Sequence, residues 1–408
     1  DKAAAEKAKY ARYTDPNYPF LQVAEYYRDG AIIQRGQEIV VWGHANEGVK
    51  LSVTLGEIER TAVANELQQW SVSFPPRSAS TTPITLQVDA SHEHRKTVRD
   101  ILVGDVWYLT GSTQLSTEWP YSQRDKQAVR PAAMPLVREF RRKTSASSST
   151  TPRKRRFETG GGKYRSSWLT ADYGAPTDGV TMFAYEFAKT LDREGIPQGF
   201  MTMSSGRGGR NRQIASPLSW TSFHGVKDVT EERFRPRLHE LFLQFPNTQI
   251  AKAAAAKHLT DVRAFVQTIR AAGEPDADIS SAAPLAAPAF PEAGKGGSVR
   301  SDTIPTYAYN WCVSPLTPMA VAGVIWVPSE HNIGDNPTNY AEELQIYAKS
   351  LPRTYGMDRT QFFYAQPTSA LVEGIGQPEI PGAKFVTFDQ WPKSLKTLAS
   401  ELAKLAEE

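Results

Sequence analysis

Two adjacent small hydroxyl residues, Ser112 and Thr113, follow a strand-like run, ILVGDVWYLT. A single glycine, Gly111, separates the run from the hydroxyl pair. An apolar strand, a tight turn and then a hydroxyl residue is an arrangement that presents a nucleophile at the end of a strand. The stretch GSTQLSTEW is therefore typical of a nucleophile turn, in which either Ser112 or Thr113 is the reacting group or the turn is a relic that once carried one.

A histidine is the usual base for such a hydroxyl. The chain has 7 histidines, and His331, which follows the strand-like run AGVIWVPS, is the best candidate. Glu330 precedes it directly, and because adjacent residues usually point in different directions, Glu330 would orient the imidazole poorly. His92 and His94 could present two imidazoles to a metal from one strand face, but an exposed polar turn is the favoured interpretation. The single cysteine, Cys312, excludes an internal disulfide and a multi-cysteine metal site, and its apolar neighbours predict burial.

The composition is typical of a globular protein with a sizeable core, with 408 residues, 40% hydrophobic and 22% charged. The net charge of +3 is too small to indicate nucleic acid or an anionic membrane. No apolar run approaches the roughly 20 residues of a membrane span. The stretch GRGGR lacks the features of a P-loop and of a dinucleotide fingerprint. We therefore predict no nucleic-acid partner, no membrane span, no metal and no cofactor.

Short β-branched and aromatic runs dominate residues 27–102, and Gly, Pro and Asn separate them at regular intervals. This pattern predicts a small antiparallel β-sandwich domain, preceded by an N-terminal lead over residues 1–26. From residue 103 to residue 408 strand-like and helical patterns alternate, which predicts a parallel sheet covered by helices. A site is then expected at the carboxyl ends of the strands.

Two segments interrupt the second domain. Residues 138–166 form a basic, Ser/Thr-rich stretch that we interpret as a solvated loop, with an anionic polysaccharide or an acidic protein as the alternative. Residues 230–300 form a helix-rich insert that ends in an Ala/Pro linker.

The order of these pieces resembles the sialate O-acetylesterase family, a carbohydrate-esterase branch of the SGNH/GDSL hydrolases. ILVGDVWYLTG is similar to the family's VLVGDVWLCSG, and YNWCVSPLTPMAVAGVIW to its YN.MI.PL.P..IKGVIW. AIIQRGQEIVVWGHANEG and FAYEFAKTLDREGIPQGFMTMSS match two further family segments. The resemblance implies a flavodoxin-like α/β/α SGNH-hydrolase domain with a parallel sheet, preceded by the small antiparallel β-sandwich domain.

Hydrolysis in this family needs a serine nucleophile, a histidine base, an orienting aspartate and oxyanion donors. Its first block, SGQSNM, reads TGSTQL here, which puts Thr113 at the nucleophile position and Ser112 one residue early. The second block, SSWGGT, reads SSGRGGRNRQ, where Gly208 and Gly209 could present an oxyanion N–H and the arginines could form an anion-binding corner. Gly111 completes the candidate pocket.

The remaining two blocks depart further from the family pattern. WYQGES reads WVPSEH, so Pro328, which has no N–H, replaces a glutamine donor, while Glu330 matches the family's glutamate. D.DIHP reads FDQWP, which puts Trp391 at the histidine position and Phe388 at the orienting aspartate, with Asp389 beside them. An indole offers only an N–H donor and cannot act as a base.

These departures predict a sialate O-acetylesterase-like protein that has lost esterase activity and serves as a carbohydrate-binding or structural and assembly protein. The alternative is an active carbohydrate O-acetylesterase with a rearranged Ser/Thr–His site, in which His331 replaces the base. The expected partners are a carbohydrate or anionic polysaccharide and a protein assembly partner. The resemblance also implies an extracytoplasmic location.

Overall fold

The computed structural model describes residues 19–91, 94–116, 131–141, 167–171, 179–204, 216–227, 229, 249–273, 305–306, 308–333, 337–357, 360–392 and 395–407. Within these ranges the chain forms a large mixed sheet, helices on its two faces and a small antiparallel sheet. The predicted mixture of a β-rich first part and an α/β second part is therefore present.

The first part of the chain contributes strands that bury alternate residues. QWSVSF, for example, buries its Trp, Val and Phe and exposes the residues between them, which is the pattern of a strand with one face on a core. Three strands form the small sheet, in the order β1 (Leu21–Val23), β3 (Ile39–Ala45), β6 (Gln69–Phe74). The others join the large sheet: β2 (Ile32–Gln34), β4 (Lys50–Leu55), β5 (Ile58–Val63) and β7 (Ser80–Ala90).

A single long strand, β8 (Arg95–Gly111), connects the two parts of the molecule. Its first half pairs antiparallel with β7, and its second half lies between two parallel neighbours. Residues 101–111 are all buried, as expected for a strand that is covered on both faces. The predicted boundary at residue 102 thus falls inside one continuous strand.

The α/β part is built on parallel strands that run beside β8. The order is β10-β9-β11-β8-β12-β13-β14, and β10 alone is antiparallel to its neighbour in this series. Their bounds are β9 Met134–Arg141, β10 Ser167–Ala171, β11 Gln198–Ser204, β12 Gly323–Val327, β13 Gln361–Pro367 and β14 Lys384–Phe388.

Helices cover both faces of this sheet because successive residues of each strand point to opposite faces. On one face, Trp107 and Leu109 pack with α1 (Met182–Leu191) and α6 (Lys396–Glu407). On the other face, Tyr108 and Trp326 pack with α5 (Pro337–Tyr355). Three further helices are described, α2 (Phe223–Val226), α3 (Gln249–Ala272) and α4 (Glu330–Ile333). None of the described helices is long and apolar enough to cross a membrane.

One predicted boundary is wrong. The basic loop is predicted to begin at residue 138, yet residues 138–141 belong to β9. The reason is that the Arg138 guanidinium is buried and donates to the backbone oxygen of Asp100 at 2.7 Å, so a basic residue lies inside the fold. The rest of that loop lies outside the described residues. Within the predicted insert the structure describes one helix, α3, and Cys312 is buried as predicted.

Candidate functional site

The carboxyl ends of the parallel strands meet at one edge of the sheet. Gly111 at the end of β8 is in register with Ser204 at the end of β11 and with Val327 at the end of β12. The chain leaves β8 at this edge and enters a short 3-10 helix, Thr113–Ser116. The hydroxyl pair predicted from the sequence therefore lies at the sheet edge where sites of α/β proteins form.

Gly111 is required by the backbone at the end of β8. Its φ is +111°, and a Cβ at this position would lie 2.4 Å from the carbonyl oxygen of Val327. Any side chain here would collide with the neighbouring strand. The glycine lets the chain turn off the sheet while staying in contact with β12.

Ser112 forms part of the turn itself. Its N–H donates to the carbonyl oxygen of Val327 at 2.7 Å, and its Oγ accepts from the N–H of Gln114 at 3.1 Å. Only 1% of Ser112 is exposed. The hydroxyl thus caps the first turn of the 3-10 helix, and Leu115 anchors that turn in the core beneath α1 and α6.

The other candidates of the first three blocks are placed only in part. The backbone of Thr113 opens the 3-10 helix and that of His331 lies in α4, but the side chains of both fall outside the described residues. Gly208 and Gly209 also lie outside them. Glu330 is described and exposed at the start of α4. The structure therefore leaves the Thr113–His331 pair as a prediction.

A serine–asparagine pair shapes the turn after β12 and was not singled out in the sequence. Asn332 is fully buried, and its Oδ1 accepts from the N–H of Ser329 at 2.8 Å and from its hydroxyl at 2.9 Å. The buried Pro328 lies between this turn and Val327. A Ser-x-x-Asn spacing is a capping signal that could have indicated the turn. Its effect is to fix the start of α4, which contains His331.

The residues of the last family block, FDQWP, lie at the same edge of the sheet as Gly111 but several strands away from it. Phe388 ends β14, three strands from Gly111, or about 14 Å at the usual strand spacing. Trp391 is partly buried and packs edge-on against Phe388, with 5.4 Å between ring centroids. Asp389 is exposed beside them. An aromatic pair thus occupies the place that the resemblance gives to an aspartate and a histidine.

A buried carboxyl under the sheet edge was missed by the sequence analysis. Glu139 on β9 is fully buried and accepts from the N–H of Thr181 at 2.5 Å and from its hydroxyl at 3.0 Å. Thr181 caps α1, so the carboxyl lies at a helix N-terminus. Burial raises the pKa of Glu139 above its ordinary value, against the opposing effects of Thr181 and Arg141. In the sequence Glu139 is a single acidic residue within a basic stretch, and that pattern does not indicate a buried carboxyl at a helix N-terminus.

A second missed feature is an ionic cluster at the opposite, amino-terminal edge of the sheet. Asp105 on β8 is 3% exposed and accepts from Arg35 at 2.7 and 3.1 Å and from Arg193. These three residues are far apart in the chain, so no motif links them. Among the described residues, no group of three or more His, Cys, Asp or Glu side chains could hold a metal ion.

Comparison with known proteins shows a shared fold. No family model and no curated protein matches the sequence. A carbohydrate acetylesterase from Xanthomonas citri superposes with a TM-score of 0.60 over 95% of this chain and 74% of its own, at 21% identity. CopC from Methylosinus trichosporium OB3b aligns at a TM-score of 0.16 and 12% identity, over 21% of this chain and 93% of its own, too weakly for any argument. This chain therefore has the fold of a carbohydrate acetylesterase.

Proposed function

We propose that this chain is an SGNH-type, sialate O-acetylesterase-like protein that binds carbohydrate and no longer hydrolyses esters. The shared fold with a carbohydrate acetylesterase supports the carbohydrate part of the proposal. The strand order β11-β8-β12-β13-β14 supports a flavodoxin-like core, since it is the order 2-1-3-4-5 when β8 is taken as first and the outer strands β9 and β10 are left out of the count. In such a sheet the ligand crevice opens between the first and third strands, here β8 and β12.

The packing of Trp391 against Phe388 is the observation on which the loss of activity depends. A triad works because an imidazole takes the proton from the nucleophile while a carboxylate holds the imidazole in place. An indole and a phenyl ring provide neither group. Removal of such a base costs several orders of magnitude in rate.

The geometry around Ser112 supports the same proposal. Its hydroxyl accepts a turn hydrogen bond, and its N–H is already donated to Val327, so this N–H is not available to an oxyanion. Pro328 supplies no N–H on the facing strand. Neither the N–H of Ser112 nor the backbone of Pro328 therefore offers a donor to an oxyanion at this crevice.

Hydrolysis of p-nitrophenyl acetate and of acetylated xylan tests the proposal. We expect the purified chain to hydrolyse both at the buffer rate, with no change in Thr113→Ala or His331→Ala. Thr260→Ala and His258→Ala on α3 are matched controls. A rate above buffer that only the first two variants abolish would establish the alternative, an active O-acetylesterase in which Thr113 is the nucleophile and His331 the base.

Carbohydrate binding at this edge has its own test. Trp391 is partly exposed, and an indole face is a common stacking surface for a sugar ring. Affinity electrophoresis in gels that contain acetylated xylan should retard the chain, and Trp391→Ala should reduce the retardation. Equal mobility in gels with and without a panel of acetylated polysaccharides would contradict the binding function.

The proposal extends to location and assembly. We propose an extracytoplasmic site of action, as the family resemblance implies. We also propose a structural or assembly role beside glycan binding, on the basis of the departures from the family's catalytic blocks. Fractionation of the source cells tests the location, and light scattering of the purified chain with and without glycan tests assembly. A cytosolic pool alone would contradict the proposed location.

A further inference from the structure

A large cleft lies at the opposite end of the sheet from the nucleophile turn. Its volume is about 1490 Å³, and it opens between the first part of the chain and the amino-terminal ends of the parallel strands. One wall comes from residues 34–37 and 76–79 of the first part of the chain, and the other from the second half of β8, the start of β13, the second half of α5 and the end of α6. A site for one small molecule usually occupies roughly 300–1,000 Å³, so this cleft has room for an extended ligand.

Two arginines are fixed in this cleft by one aspartate. Asp105 binds Arg35 through both carboxylate oxygens and also binds Arg193. Arg193 donates to the carbonyl oxygen of Ala406 at the end of α6 and lies 5.8 Å from the ring centroid of Trp107. One carboxylate neutralises one of the two guanidinium charges, so the cluster keeps an excess positive charge and two oriented guanidinium planes.

The rest of the cleft wall adds to this charge. Arg77 donates to the backbone oxygen of Leu55 at 2.9 Å, which orients its guanidinium, and Lys349 is exposed on α5. Among the described residues that line the cleft, four are cationic and two, Asp105 and Glu379, are acidic. The chain as a whole carries only +3 on 408 residues, so an excess of two charges here is a local concentration.

The neutral part of the lining fits a sugar chain. Gln37, Gln345 and Gln361 offer amides that can both donate to and accept from hydroxyl groups. Met357 and Ile380 provide apolar surface beside them. A cleft lined by amides and apolar patches, with fixed guanidinium groups, suits a ligand that has hydroxyls, ring faces and repeated planar anions.

We propose that this cleft binds a carboxylate-bearing oligosaccharide of the uronate type. A guanidinium has five N–H donors, and Asp105 takes only two of those of Arg35 while Leu55 takes one of those of Arg77, so the donors that remain can bind a ligand carboxylate. The choice of a sugar as the carrier of the carboxylates rests on the proposed function, whereas the charge of the cleft is independent of it. The binding surface lies at the other edge of the sheet from Ser112, so glycan held here leaves the nucleophile turn open.

Calorimetric titration of the full chain with hexagalacturonate tests the proposal. Its fully methyl-esterified form is the neutral control, and inorganic pyrophosphate tests whether a phosphate is preferred. We expect binding of hexagalacturonate, at least tenfold weaker binding of the ester, and affinity that falls as salt rises. Equal binding of acid and ester, no binding of either, or tighter binding of pyrophosphate would each overturn the proposal.

Charge-reversal variants at the rim test whether the ligand binds in the cleft. Lys349→Glu should raise the Kd for hexagalacturonate about tenfold, since it replaces an attraction by a repulsion of similar size. Lys252→Glu on α3 is the matched control and should leave the Kd unchanged. Equal effects of the two variants would overturn the assignment. We expect retardation by acetylated xylan to depend on Trp391 and not on Lys349, so that failure of either proposal is seen separately.

Discussion

Asp105 offers the sharpest test of the energetics of the amino-terminal edge. Its carboxylate is 3% exposed, whereas the side chains of Arg35 and Arg193 are 35% and 24% exposed. Asp105→Asn keeps the shape of the side chain but removes the charge that holds two guanidiniums together. Removal of one partner from a fully buried ion pair costs about 3–5 kcal/mol, and the partial exposure of both arginines reduces this to about 2–3 kcal/mol.

The pH dependence of this loss has a definite sign. Burial raises the pKa of Asp105, but the hydrogen bonds and charges of Arg35 and Arg193 outweigh burial and hold it below its ordinary value. The stabilisation is therefore fully present above the unfolded pKa of about 3.9 and is lost as the pH falls through the lower folded pKa. The difference between the wild type and Asp105→Asn should shrink as the pH falls from 4 to 2.

Urea denaturation at pH 7, 5 and 3 measures this difference. Asp89→Asn is a matched control, because Asp89 also pairs with an arginine, Arg95, but the two side chains are 30% and 66% exposed. We expect less than about 1 kcal/mol for the control. A cost below about 0.5 kcal/mol for Asp105→Asn at pH 7, or a cost that is undiminished at pH 3, would refute the reasoning.

Three further predictions concern the sheet edge and the carboxyl beneath it. Gly111→Ala should lower the free energy of unfolding, measured by urea denaturation, by at least about 2–3 kcal/mol. The reason is that the added Cβ would meet the carbonyl of Val327 and that the φ of this residue is positive. A loss under about 0.5 kcal/mol would show that β8 and β12 can move apart. Ser112→Ala should lose about 1 kcal/mol of stability through the missing cap on Gln114, with ester hydrolysis staying at the buffer rate. Glu139→Gln should become more stable relative to the wild type as the pH rises from 4 to 8. Burial raises the pKa of the Glu139 carboxyl, so the folded wild type loses stability when this proton leaves. A stability difference between the two proteins that does not change with pH would contradict this.

Much of the fold could be predicted because its strands and helices are periodic in the sequence. Alternating apolar residues marked the strands of the first part, and continuous apolar runs marked β8, β12 and β13. Strand β9 was missed because charged residues interrupt it, and those charges are satisfied only in three dimensions. Arg138 donates a hydrogen bond to Asp100, and Glu139 accepts one from Thr181; each partner is about 40 positions away in the chain.

The candidate site divides in the same way. The glycine and the hydroxyl pair at the end of β8 follow from local pattern, because a turn at a strand end needs small residues there. The cap that Ser112 Oγ provides for Gln114 is local, but the hydrogen bond from the Ser112 N–H to Val327 joins residues more than two hundred positions apart, and no local pattern contains it. The resemblance placed Trp391 at a base position, and the structure adds that Trp391 packs against Phe388.

The sequence by itself determined the class of the fold, the order of its two parts and the edge of the sheet where the hydroxyl pair lies. These properties depend on side-chain periodicity and on chain direction, and both follow from the order of the residues. The tertiary structure alone decided which charges meet. The grouping of Arg35, Asp105 and Arg193 in one cleft requires β2, β8 and the end of α1 to come together. Long-range contact, rather than local propensity, sets the charge of that surface, because a carboxylate buried on β8 is stable only where folded chain supplies its partners.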